Sequence, residues 1–219
     1  MSGPMTDEPP AALKRTEIRA IYDQLGVKQD DQGWYEDKAL QNLLRNADFA
    51  GADCIVEVGC GTGRFAEMLF KTYLGPNARF VGVDISRTMV DLARARLRPW
   101  GNRVEVQLTD GGFELPKADV VIATYVLELM SEDDIADLLA AAHRALQPDG
   151  QLCLASLTSR RGSLNYLWSL LYRVLPRRLG GCRPLNLAGH LQRHWRVTHH
   201  TFVSSYGLAS EALIARPRA

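Results

Sequence analysis

The sequence predicts one doubly wound α/β domain, a parallel sheet covered by helices on both faces, with an antiparallel hairpin at one edge. Three observations predict it. Short β-branched runs alternate with amphipathic helical periods, as in consecutive βαβ units. A run of alternate glycines, Gly59, Gly61 and Gly63, follows the first of these strands. The last segment switches to two strand-like runs joined by a short polar turn. At 219 residues the chain is long enough for one core and hardly for two.

The order of elements follows from periodicity. Residues 1–12 are rich in Pro, Asp and Glu and read as a disordered tail, not a signal peptide. Residues 13–219 form the domain, with cap helices within 13–50 and a lid-like insertion at 158–192. Ile18, Ile21, Tyr22 and Leu25 fall at helical spacing in Arg15 to Leu25, as do Leu40, Leu43 and Leu44 in Tyr35 to Ala47. The polar stretch Gly26 to Gly33 between them is a loop by composition. Cys54-Ile-Val-Glu-Val is the first strand, and Arg64 to Tyr73 a helix. Arg79 to Ile85 is the second strand, and Ser86 caps a helix that Pro99 stops. Val104 to Leu108 is the third strand, and Asp119 to Val126 the fourth. Ser131 and Asp134 resemble a capping box before a helix that runs toward Pro148-Asp-Gly150. Gln151 to Leu157 is the fifth strand. Arg196 to Val203 and Leu208 to Ala215 make the terminal hairpin around Ser204-Ser-Tyr-Gly207.

Composition excludes several classes. Four scattered cysteines, Cys54, Cys60, Cys153 and Cys182, give neither a disulfide framework nor a C-x-x-C pair, and no metal site is expected. No apolar run approaches the length of a spanning helix, so a cytoplasmic protein is expected. Charge is unevenly spread. Residues 1–157 carry 16 Lys or Arg against 24 Asp or Glu, and residues 158–219 carry ten Arg against Glu211 alone. This reads as a basic face on an otherwise acidic protein, or as an attraction for anionic substrates or lipid headgroups.

The chemistry concentrates at the strand exits. In Glu57-Val-Gly-Cys-Gly-Thr-Gly63 the glycines allow a tight turn and close approach of a ligand to the main chain, ahead of a helix N-terminus. Arg64-Phe65 replace the Lys and Ser or Thr of a P-loop, and the third glycine comes one residue too early for a dinucleotide fingerprint. Asp84, ending strand two, can accept hydrogen bonds from both ribose hydroxyls of an adenosine ligand. Asp110, before Gly111-Gly112, can take an adenine amino group. Glu57 is placed for loop N–H groups or a ligand ammonium, since a buried strand carboxylate otherwise lacks a reason.

These segments, with Val83-Asp84-Ile-Ser and Leu146-Gln-Pro-Asp-Gly150, resemble the class I S-adenosylmethionine-dependent methyltransferases over about residues 53–157. The resemblance implies a Rossmann-like sheet of order 3-2-1-4-5-7-6 with strand seven antiparallel. It implies S-adenosyl-L-methionine as cofactor, with S-adenosyl-L-homocysteine as product. Gly59, Gly61 and Gly63 would wrap its methionine and ribose portions, Asp84 the ribose hydroxyls and Asp110 the adenine. Glu57, Cys60, Ile85, Gly111 and Thr124 complete the expected cofactor set. Asp149 stands where the family often has a second glycine.

The methyl acceptor should sit beside Thr124, Tyr125, Val126 and Leu127, outside the carboxyl end of strand four. Ala-Thr-Tyr-Val there is not the Asn- or Asp-Pro-Pro-Tyr run of base and amide modifiers. A small molecule methylated on a hydroxyl, amine or thiol is therefore expected, with RNA or protein methylation, or a non-catalytic cofactor binder, as alternatives. Methyl transfer rests largely on alignment and desolvation, and a neutral acceptor gains from a base. Candidate bases and orienting groups are His199 and His200, with His190, His194, Tyr22, Tyr125, Tyr35 and Tyr206. His143 reads as structural. The apolar helix Leu164 to Leu175, followed by Pro176-Arg-Arg, is expected to meet Tyr22 and Trp34-Tyr35 as a lid, with plain core packing between the two helical pieces, or contact with a membrane surface, as alternatives.

Overall fold

Cys54–Val58 is apolar on nearly every residue and forms β1 at the centre of the sheet, as a strand covered on both faces must. The computed structural model describes residues 11–159, 163–191 and 194–218. Most of the tail expected at 1–12, and residues 160–162 and 192–193 of the expected insertion, lie outside them. Among the described residues the other strands are β2 (Arg79–Asp84), β3 (Val104–Leu108), β4 (Ala118–Thr124), β5 (Leu146–Leu157), β6 (Trp195–Ser205) and β7 (Leu208–Pro217). The sheet has the order β3-β2-β1-β4-β5-β7-β6. β7 runs antiparallel to β5 and β6, and the other neighbours pair in parallel. The order reverses between β1 and β4, where an open α/β sheet leaves its crevice.

The helices are α1 (Arg15–Leu25), α2 (Gly33–Asn46), α3 (Arg64–Thr72), α4 (Arg87–Leu97), α5 (Glu132–Ala145), α6 (Ser163–Val174) and the single turn α7 (Leu187–His190). One face of the sheet packs on α2, α3 and α4 around Leu43, Leu69, Phe80 and Ala93. The other packs on α5 and α7 around Leu138, Leu152, Leu187 and Leu213. Each of these leucine and phenylalanine side chains, fully buried, stabilises the fold by ~1.5–3 kcal/mol relative to exposure. The expected caps form: Ser86 Oγ accepts from Met89 N at 3.2 Å, and Ser131 Oγ from Asp134 N at 3.2 Å.

Four boundaries differ from the sequence reading. Gly26–Gln32 is a 3-10 helix rather than an open loop, tied down by Gln29 and Asp30. β4 stops at Thr124 because Tyr125 has φ 54°, in the left-handed region. β5 starts at Leu146, whose partner is Ala118, and a register shift between Ala118 and Val120 accommodates Pro148 and Gly150. The terminal turn narrows to Tyr206 and Gly207, with φ 49° and 87°, the positive pair that a two-residue hairpin requires.

Candidate active site

Positive φ at Gly59, Gly61 and Gly63 (71°, 52° and 76°) turns the chain out of β1 and into α3. Gly59 N and Cys60 N both donate to Val83 O, at 2.8 and 3.1 Å, which ties the loop to the end of β2. Space decides the residue type as firmly as φ does. A Cβ at Gly59 would lie 2.4 Å from Val126 Cγ2, and one at Gly61 2.8 Å from Gln29 Oε1. Gly63 is the N-cap of α3 and packs on Ala93 of α4.

The Asp84 carboxylate closes the far side of this loop. Oδ2 accepts from Gly61 N and Oδ1 from Ser86 N, both at 2.9 Å. Each oxygen has two lone pairs, so one acceptor position per oxygen remains. Burial raises the Asp84 pKa, against the pull of these N–H bonds.

Around these groups runs a cleft of about 810 Å³, counting its open mouth. Gly59, Gly61, Asp84 and Ile85 form one wall; Thr109, Gly111 and Phe113 form one end. Thr124, Tyr125 and Val126 form the floor at the exit of β4, with Leu129 and Met130 beyond them. Arg15, Ile18 and Tyr22 of α1 and Gln29 of the 3-10 helix form the opposite wall. Asp110 is exposed and caps its own turn, its Oδ1 accepting from Gly112 N at 3.0 Å. At this end of the cleft, Thr109 and Gly111 supply the lining instead.

A smaller recess behind the glycine loop is lined by Glu57, Cys60, Glu36 and Arg64 and shares Gly59, Gly61 and Thr124 with the cleft. Glu57 is 2% exposed and its Oε2 has no hydrogen-bond partner; burial, then the Asp84 charge, raises its pKa to about 8. Glu36 gives one oxygen to Arg64 at 2.9 Å and leaves Oε1 unpartnered; burial raises it to about 7 despite Arg64. Glu128, after β4, is fully buried, with no charged partner among the described residues. Burial raises it to about 8, although Ser156 and nearby main chain pull it down. The sequence reading missed Glu36 and Glu128. An acid inside the apolar run Val126 to Met130 was the available signal.

The tyrosine and histidine candidates separate. Tyr22 faces the cleft and sits 3.9 Å from Cys182 Sγ; burial holds its hydroxyl well above the usual range. Tyr125 touches the cleft, but its hydroxyl is turned into the core, 2.9 Å from Ser210 Oγ. His199 and His200 lie outside the cleft, on opposite faces of β6: Nε2 of His199 is 2.7 Å from Asn42 Oδ1, and Nε2 of His200 is 2.7 Å from Glu211 Oε1. Three strand spacings, roughly 14 Å, separate β6 from β4. His190 contacts Glu132 at 3.5 Å, and the His194 ring packs on His143. Tyr35 stacks edge-on against Tyr125, and Tyr206 is exposed beside Trp34. Among the described residues no group of three or more acidic, His or Cys side chains could hold a metal ion.

The family model described as a methyltransferase domain matches residues 56–152. These residues carry the glycine loop, Asp84 and the start of β5, within a sheet of the family's strand order. Residues 56–152 thus match a methyltransferase-domain family, and the sheet around them has the class I methyltransferase fold. Curated relatives agree with this placement. A demethylmenaquinone methyltransferase of Lactobacillus johnsonii is 27% identical over 168 residues, 74% of this chain and 66% of that protein. A ubiquinone/menaquinone biosynthesis C-methyltransferase UbiE of Desulfotalea psychrophila is 33% identical over 115 residues, 51% of this chain and 45% of that protein. The chain thus spans 66% and 45% of the length of these two relatives. Among solved structures, the [4+2]-cyclase SpnF superposes with a TM-score of 0.70 at 16% identity, covering 95% of this chain and 97% of that one. That likeness concerns the fold, because one class I methyltransferase scaffold can carry different chemistries.

Proposed function

We propose that this protein transfers the methyl group of S-adenosyl-L-methionine to a small-molecule acceptor. The observation that carries the proposal is the polar geometry of the glycine-loop cleft. Glu57 has a buried oxygen with no partner, and Asp84 keeps one free acceptor position on each oxygen. A cationic ammonium suits the first and a ribose diol the second. The backbone at Gly59 and Gly61 is open where a Cβ would collide. Main-chain groups at Thr109 and Gly111, with Phe113, fit the adenine end better than the exposed Asp110 carboxylate does.

The cofactor, when bound, supplies an activated methyl group on a sulfonium. The chain's own residues then have to align the acceptor and exclude water. Ile18, Leu129 and Met130 give the acceptor side an apolar wall, and Tyr22 gives it one hydroxyl. This supports an apolar acceptor, consistent with relatives named for demethylmenaquinone and quinone biosynthesis. Glu36 lines the recess that shares Thr124 and Tyr125 with this floor, and Glu128 lies four residues after the end of β4; we assign them, ahead of His199 and His200, as candidates to accept the acceptor's proton. Residues 13–50 and the insertion at 158–192 act as the cap: Ile18 meets the turn at Gly181, and Tyr22 meets Cys182. The four free cysteines fit a reducing compartment, and we place the protein in the cytoplasm.

Calorimetry with S-adenosyl-L-methionine and S-adenosyl-L-homocysteine tests the cofactor half. A methyl-transfer screen over quinols, phenols, thiols and amines, read by release of S-adenosyl-L-homocysteine, tests the rest. Binding without turnover on any acceptor would reduce the protein to a cofactor binder.

A further inference from the structure

Helix α6 is inside out. In an ordinary surface helix the polar residues face water and the leucines face the core. Here Asn165 is 2% exposed, its Nδ2 donating to Thr158 O and Ala209 O and its Oδ1 accepting from Ala209 N. Tyr172 is buried on the same side, and the Trp168 indole donates inward to Cys182 O at 2.8 Å. The outward face is Tyr166, Leu167, Leu170, Leu171 and Val174, with Val174 76% and Leu167 48% exposed. It continues through Leu164 to the hairpin tip, where a Cβ on Gly207 would meet Leu164 Cδ1 at 2.5 Å, and on to Tyr206 and Trp34, whose rings lie 5.9 Å apart. An apolar face of this extent on a water-facing helix marks a contact surface.

Charge says what the face contacts. Arg173, Arg177 and Arg178 are exposed at the carboxyl end of α6 and just beyond it, and residues 163–179 contain no acidic residue. Arg177 pairs with Glu17; Arg173 and Arg178 have no acidic partner among the described residues. A second copy of the same segment would bring leucines but only further arginines, and no acid to pair with them. A bilayer with anionic headgroups offers both an apolar layer and negative charge, and the Trp34 and Tyr206 rings suit its interface. Among the described residues no helix is long and apolar enough to cross a membrane, and α6, about 18 Å long, fits flat along one.

We propose that α6 docks the chain on an anionic lipid surface, its leucine-rich face entering the headgroup–acyl boundary and Arg173 and Arg178 meeting the headgroups. The inner side of the same insertion touches Tyr22 at the cleft through Cys182, so docking sets the acceptor side of the cleft close to the bilayer.

The test is flotation of the full chain with vesicles of phosphatidylcholine alone or mixed with phosphatidylglycerol. Binding to the anionic vesicles, weakened by salt, is expected. The triple variant Leu167→Ser/Leu171→Ser/Val174→Ser should bind at least about tenfold more weakly. Arg173→Ala and Arg178→Ala should each cost about fivefold on anionic vesicles and little on neutral ones. All these positions are exposed, so the variants should keep the parent's melting temperature, and cofactor binding measured alongside separates this proposal from the proposed activity. Failure of the parent chain to float would overturn it. So would a dimer in sedimentation velocity that the triple variant dissociates, or vesicle binding that appears only when residues 1–10 are deleted.

Discussion

Arg15 of α1 reaches across the mouth of the cleft to the carboxylate of Asp134 in the first turn of α5. The same guanidinium lies over Gly111, where a Cβ would come within 2.8 Å of Arg15 Nη1. Half-exposed ion pairs add little stability, so Arg15→Ala should cost under ~1 kcal/mol of folding free energy. It should instead speed cofactor dissociation, because the contact spans the opening. Stopped-flow release of S-adenosyl-L-homocysteine checks this, and an unchanged off-rate would remove Arg15 from the closure.

Asp84 holds the main chain at Gly61 and Ser86 and, in the proposed cofactor complex, would also take the ribose hydroxyls. Asp84→Ala should weaken cofactor binding by ~2–4 kcal/mol and also loosen the loop. Asp84→Asn is the control. It retains an acceptor oxygen for the loop but offers a donor where the second hydroxyl would bind, so melting temperature should recover more than affinity. Equal recovery of both would mean that Asp84 serves the loop alone.

Gly59→Ala should abolish tight cofactor binding for two separable reasons. The left-handed backbone costs an L residue ~1–2 kcal/mol, and the new methyl overlaps Val126. Adding Val126→Ala should restore only the part due to overlap. A double-mutant cycle on thermal stability measures that share, and full additivity would show that the two residues do not collide.

Glu57 and Glu128 titrate near 8, and Glu36 near 7, where ordinary glutamates titrate near 4.5. An unfolded chain ionises all three above about 4.5, while the ligand-free fold keeps them protonated. Their contribution to stability is therefore full below that value and is lost as pH rises through 7 to 8. Melting temperature of the ligand-free protein should fall over that window, and Glu57→Gln should flatten part of the fall. A cation beside Glu57 favours its ionised form, so cofactor binding near pH 7 should release a proton and tighten as pH rises. Calorimetry in buffers of different ionisation enthalpy reads the proton directly; no release would mean Glu57 faces no cation.

The glycine loop was legible because alternate glycines after a buried strand report a left-handed backbone, and the structure gives all three a positive φ. The sheet was legible from alternating periods, and Ser86 and Ser131 from their spacing to the next helix. The acceptor side was legible only in outline, as an expected meeting of Tyr22 with the insertion. It is made where α1 meets the turn at Gly180 and Gly181, far away in sequence, and no local pattern pairs Ile18 with Gly181 or Tyr22 with Cys182. His199 and His200 attracted attention as titratable groups, yet strand order alone carries β6 to the far edge. Position 128 shows the converse: one acid in an apolar run looks like a surface interruption until burial is known.

Gln29 lies over the Gly61 backbone, and Asp23 and Asp30 hold the same stretch to Ser86, Thr88 and Arg96. The amino-terminal stretch is therefore one wall of the cleft, fastened by side chains to the glycine loop and to α4. A purification tag placed there is not a neutral addition. It would hang beside that wall, and kinetics measured with and without it would differ in exchange of the spent nucleoside before they differed in chemistry.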